Sequence, residues 1–132
     1  MSYEKRTVAV NITDPGSDKR VPLLRVPSGQ TYTVEGCYVV PDTTLAASTA
    51  DYYQASLENG GAAGTAQTNI GGTAGGTAGW TANTPKEITV TAGSGDLTEG
   101  QYLNLKYDEE GTIAPGRFTV IVEYVNGVGA KA

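Results

Sequence analysis

The sequence predicts an all-β, single-domain β-sandwich, and three observations carry that expectation. Short stretches of alternating β-branched and polar residues recur along the whole chain, and Pro-Gly, Ser-Gly and Asp-containing turn clusters separate them. Glycine makes up 18 of 132 residues, about twice the usual share of roughly 7%. Val, Thr and Tyr fill much of the rest, the types that suit a pleated, half-buried surface. A chain of 132 residues can bury a core of its own without disulfides or metals. The expected architecture is jelly-roll-like, with seven or eight strands and one long Gly-rich loop. An immunoglobulin-like sandwich is the other candidate, but the Cys, Trp, Cys pattern of an antibody-type domain is missing.

The first run covers 6–12 and places Val8, Val10 and Ile12 on one face, the period of two that a half-buried strand requires. Asp14-Pro15-Gly16 centres the following turn, since Pro presets φ and Gly accepts positive φ. Residues 21–26 form a second strand, and Pro22, which lacks a backbone donor, puts it at a sheet edge or makes it irregular. Residues 30–40 make the longest strand, with Tyr32, Val34, Gly36, Tyr38 and Val40 in one parity. Pro41 ends it, and 41–49 reads as a loop or one helical turn. The strand at 50–58 points Tyr53, Ala55 and Leu57 inward, so Tyr52 must face the other way.

Residues 59–83 consist largely of Gly, Ala and Thr, with a short imperfect repeat at 71–78. So few large side chains cannot pack locally, and the segment is expected to be a long loop ordered by a partner. Trp80, the single tryptophan, closes it either as a core anchor or as an interface anchor. A strand at 86–92 carries Ile88 and Val90, and a strand at 101–107 turns Leu103, Leu105 and Tyr107 inward. Residues 108–111 read as an acidic turn. The last strand, 117–125, lines up Phe118, Val120, Val122 and Tyr124. Residues 1–6 are expected as an N-terminal arm and 126–132 as a flexible tail.

Composition excludes several function classes. The net charge is −5, and basic residues pair up only at Lys5-Arg6 and Lys19-Arg20, so no nucleic-acid partner is expected. No stretch has the length and apolarity of a membrane span, and no membrane partner is expected. Residues 1–6 are not followed by the apolar region of a secretory signal, and synthesis in a host cytoplasm is expected. With no histidine, the commonest general base and metal ligand is missing. Asp108, Glu109 and Glu110 would supply carboxylates for glycoside hydrolysis, but adjacent residues in a turn read as a solvated hairpin. The Gly-rich stretch lacks the Lys and the following helix of a phosphate loop. Cys37 lies in an apolar run and reads as a small buried hydrophobe. No enzymatic activity, cofactor or metal is expected. Outward-facing tyrosines would stack on a sugar ring or a neighbouring subunit, or form cross-strand pairs within the sheet.

The C-terminal half resembles small structural proteins from the heads of tailed bacteriophages, namely decoration or cement proteins. The resemblance is carried by Pro85-Lys86-Glu87-Ile88-Thr89-Val90, by Leu97-Thr98-Glu99-Gly100-Gln101-Tyr102-Leu103, by the stretch from Lys106 to Val120, and by Val122-Glu123-Tyr124-Val125. It implies a jelly-roll-like subunit on the outer surface of a virion capsid, with the major capsid protein and two further copies of itself, as a homotrimer, for partners. These motifs are strands and turns, so no functional residue carries over. The residues themselves nominate Tyr3, Lys5, Arg6, Tyr52, Ile70 and Trp80 as interface candidates, because an extended arm can add a strand to a neighbour and a polar loop can order on contact. The alternative is a head-fibre, tail-tip or carbohydrate-binding module, which would need an exposed aromatic platform.

Overall fold

The computed structural model describes residues 5–127. Tyr3, with the rest of residues 1–4, and residues 128–132 of the expected tail lie outside the described residues. Among the described residues nine strands follow one another: β1 (Lys5–Thr13), β2 (Lys19–Arg25), β3 (Tyr32–Pro41), β4 (Tyr52–Gly61), β5 (Thr68–Gly75), β6 (Lys86–Glu87), β7 (Asp96–Leu97), β8 (Tyr102–Glu110) and β9 (Arg117–Asn126). One sheet runs β1-β9-β3-β6 with β7 also on β3, and the other runs β2-β8-β4-β5. All pairs are antiparallel. β6 and β7 are two-residue pieces of one interrupted edge strand, since both pair with β3.

Apart from the β4–β5 hairpin and the break between β6 and β7, every connection crosses from one sheet to the other, and the first and last strands lie side by side. Two four-position sheets wrapped this way are a jelly roll, and the expected β-sandwich is what forms. Its core is the space between the sheets. Phe118, Val120 and Val122 of β9 face Leu103, Leu105 and Tyr107 of β8, with Tyr53, Ala55 and Leu57 of β4 beside them, all buried. Ile12 is buried at the β1 flank, with Val8 and Val10 packed half-buried against the same core.

Four local expectations are corrected. In β3, the pairing with β9 shifts between Val34 and Gly36. That bulge spends one extra residue and reverses the parity beyond it, so Cys37 and Val39 point inward while Tyr38 and Val40 face out. Tyr32 and Tyr38 therefore do not share a face, and Tyr32 instead meets Tyr124 with ring centroids 4.6 Å apart. The acidic residues 108–110 are the last residues of β8, opposite Gln54, Tyr53 and Tyr52 of β4. Lys5 and Arg6 belong to β1, paired with Val125 and Tyr124, and Asn126 belongs to β9, so both termini of the described chain are sheet where an arm and a tail were expected. The largest correction concerns the long loop at 59–83: β4 runs to Gly61, β5 occupies Thr68–Gly75, and a single 3₁₀ turn spans Gly76–Ala78.

Candidate interaction surface

Strand β5 forms because small residues are what its position demands. Ile70 and Ala74 point into the core and are buried. Between them the strand is crossed closely by the returning chain: the Gly72 amide donates to Thr89 O at 2.7 Å, and the Thr91 amide to Ile70 O at 2.9 Å. A Cβ on Gly71 would run into the Thr89 carbonyl. Gly75, at φ 83° and ψ −133°, leaves room for the Trp80 indole, which a Cβ there would strike.

Trp80 is 2% exposed. Its ring stacks on Tyr53 at 4.6 Å and 9°, and its Nε1 donates to Tyr53 O at 3.0 Å. Tyr53 in turn lies 5.4 Å from Tyr107 and 5.7 Å from Phe118. The Lys86 ammonium sits 5.4 Å from the indole centroid and donates to Gly79 O. Ile70 and Trp80 thus have no surface to offer a partner, and as interface candidates both are corrected: their side chains fill the core under β5. Tyr52, half-buried at the start of β4, faces outward opposite Glu110.

The outer face of the β2-β8-β4-β5 sheet holds a feature that alternation alone does not reveal. Glu58 is 3% exposed and Asn104 1%, although both lie on the solvent side. The chain between β4 and β5 folds back over Asn104: its Nδ2 donates to Gly64 O at 3.0 Å, and Gly64 rests against the Tyr102 ring. Arg20 of β2 reaches across β8 to Glu58 of β4, its Nε donating at 2.7 Å. The only sequence signal for this is the Gly60-Gly61 pair, whose lack of side chains lets the loop lie flat. Gly60 packs directly on the Asn104 amide.

Most of the described carboxylates serve the fold itself. Asp96 accepts from Thr33 Oγ1 at 2.7 Å, Glu99 from the Gly29 amide at 2.7 Å, and Asp51 from the Thr112 amide at 2.9 Å. Of the acidic trio read as turn residues, Glu109 accepts from the Tyr107 hydroxyl at 2.7 Å, and Asp108 lies 3.6 Å from Lys106 Nζ.

The sheet edges differ in how they are protected. An exposed strand edge is a template for another chain unless it is short, bulged, proline-bearing or covered. β2 carries Pro22 and a register shift beside it. β5 is closed by the Thr89 and Thr91 contacts. β6 and β7 are two residues each. β1 is the least protected: it is nine residues long, contains neither Pro nor Gly, pairs with β9 without a shift from Lys5 to Thr13, and carries charges, which also discourage edge pairing, only at Lys5 and Arg6. Lys5 extends over β9 to Glu35 at 3.4 Å. Arg6 has no acidic partner among the described residues.

The class so defined is a single jelly-roll β-sandwich whose open feature is one long edge strand. No protein-family model matches the chain, and no curated protein matches it. Among solved structures, it is similar to a chain of "Structure of infectious bursal disease virus Gt strain", with 10% identity and a TM-score of 0.37. That overlap covers 98% of this chain and 34% of the other, so the chain spans about a third of its length. A likeness at this level says nothing about what the chain binds.

Proposed function

We propose that the chain is a structural virion protein that binds the outer surface of a phage capsid and reinforces the contacts between capsomers. The observation that carries this reading is the use of polar side chains: among the described residues most carboxylates are held by ion pairs or hydrogen bonds within the fold itself, and the sandwich offers sheet faces and one strand edge. The resemblance of residues 85–125 to head decoration proteins supports the same role. Recognition through an edge and a face needs no reacting group, and many identical copies can use it on a repetitive shell. The major capsid protein is the partner in this reading, and the capsid exterior is the location.

The test is co-sedimentation of the purified chain with empty expanded heads, read as copies bound per head. Saturation at a number related to the shell's symmetry, together with a rise in the temperature at which heads disrupt, is the expected result. Chain that stays in the supernatant at micromolar concentration overturns the reading.

A further inference from the structure

We infer that β1 is a self-complementary docking edge, through which two copies of the chain pair antiparallel across a two-fold axis into one continuous sheet. This deepens the structural reading above by naming a partner for the chain, a second copy.

The direction of the edge follows from one hydrogen bond. The Asp14 amide donates to Gly116 O at 2.9 Å, which extends the β1–β9 register by one step. Antiparallel pairs alternate between bonded and non-bonded sites. The amides and carbonyls of Arg6, Val8, Val10 and Ile12 therefore point to β9, and those of Lys5, Thr7, Ala9, Asn11 and Thr13 point to the open side. The side chains of these five residues are exposed, so nothing among the described residues covers the edge on their own face.

The sequence of β1 fits its own reverse. Centred on Ala9, the pairing sets Ala9 against Ala9, Thr7 against Asn11 and Lys5 against Thr13, with about ten hydrogen bonds, two for each of five opposed pairs. No like charges stand opposite one another. On the inner face Val8 meets Val10, and both are half-buried in the single chain. On the outer face Ala9 lies in register with Ile121, and Ile121 with Tyr38, so the two copies join these into one apolar row. Arg6 comes diagonal to Asp14 of the other copy, a spacing of roughly 7–8 Å within reach of long side chains. Arg6 and Asp14 are both exposed, and neither forms an ion pair among the described residues. Each two-fold supplies that contact twice, as a closed isologous interface requires. A different protein's strand would be aligned by its backbone alone, without this match.

The experiment is light scattering on the full chain across concentration, for wild type, Ala9→Pro and Arg6→Glu. The Ala9 amide faces the open edge, so proline there removes a donor to the partner and none to β9. Wild type is expected at twice the 13.6 kDa of one chain, Ala9→Pro at that single-chain mass, and Arg6→Glu with dissociation at least tenfold easier. A separate Ala9→Cys variant is expected to form an oxidised covalent dimer, because the bonded pair sets its Cα atoms about 5.5 Å apart, inside the disulfide range of about 4.4–6.8 Å. A monomeric or trimeric wild type overturns the inference, as does an Ala9→Pro or Ala9→Cys result equal to wild type. The two readings separate cleanly: a monomer that binds heads overturns only the pairing, and a dimer that ignores heads overturns only the capsid role.

Discussion

Replacing Gly75 with alanine tests why the Gly-rich segment is packed as it is. An L residue at φ 83°, ψ −133° costs about 1–3 kcal/mol in backbone strain. The added methyl would also lie within the Trp80 ring, so the indole must move. Moving it loses the stack on Tyr53, about 0.5–1.5 kcal/mol. It also breaks the Nε1 bond to Tyr53 O and leaves buried groups unpaired, about 1–3 kcal/mol. The total is roughly 3–7 kcal/mol, a large share of a domain stability of about 5–15 kcal/mol. The assay is urea unfolding at fixed protein concentration, followed by fluorescence of Trp80, the only tryptophan. Gly93→Ala is the control, since Gly93 also has positive φ, 82°, but nothing within 4 Å of its would-be Cβ; its cost is about 1–2 kcal/mol. If the two variants lose equal stability, or if Gly75→Ala keeps the wild-type emission and midpoint, the packing argument is wrong.

Three further predictions follow from the same structure. Arg20→Ala strands the buried Glu58 carboxylate and should destabilise the chain by about 3 kcal/mol, whereas Arg117→Ala, which breaks the exposed pair with Asp42, should cost less than about 1 kcal/mol; denaturant midpoints measured side by side decide between them. Burial pushes the Cys37 thiol from 9.0 up to about 12 and raises Tyr53 and Tyr107 as well, Tyr107 also through Glu109. The unfolded chain gives up these protons first, so stability is complete below about pH 9 and falls as pH rises towards 12, by about 1.4 kcal/mol per unit for each group; Cys37→Ala should delay the onset of that fall in a pH series of urea midpoints. Gly71→Ala should separate β5 from residues 89–91, seen as faster amide exchange at Gly72 and Thr91 with the β8 amides still protected.

The alternating strands were legible because their physics is local. Val8, Val10 and Ile12, or Leu103, Leu105 and Tyr107, declare one face by period alone, and the structure places them as read. The parity of β3 was not legible, since the bulge at Glu35 and Gly36 answers to the register of β9, more than eighty positions away in sequence. β5 was missed for a related reason. Its composition shows only what glycines cannot pack, whereas Gly71 and Gly75 are set by what approaches them, Thr89 and Trp80. Trp80 had two readings open, and only its fit over Gly75 and against Tyr53 decides for the core. Glu58 is acidic and on the outward parity of β4, and it is nonetheless buried, paired with Arg20 reaching from β2 across the sheet. Nothing local to Lys5 and Arg6 marks them as part of a regular edge strand, because the strand they pair with, β9, lies more than a hundred residues away in sequence.

The position of β9 in the middle of its sheet governs how the molecule can be made. β1 and β3 both wait for a central strand that is synthesised well after them. Until Asn126 has emerged, β1 has two open edges and an apolar face with nothing opposite it. Only the β4–β5 hairpin can form from neighbours in sequence. Topologies dominated by such distant pairings fold in milliseconds to seconds, and their half-built strands are exposed to other chains meanwhile. In that interval β1 is a strand with which another chain can pair.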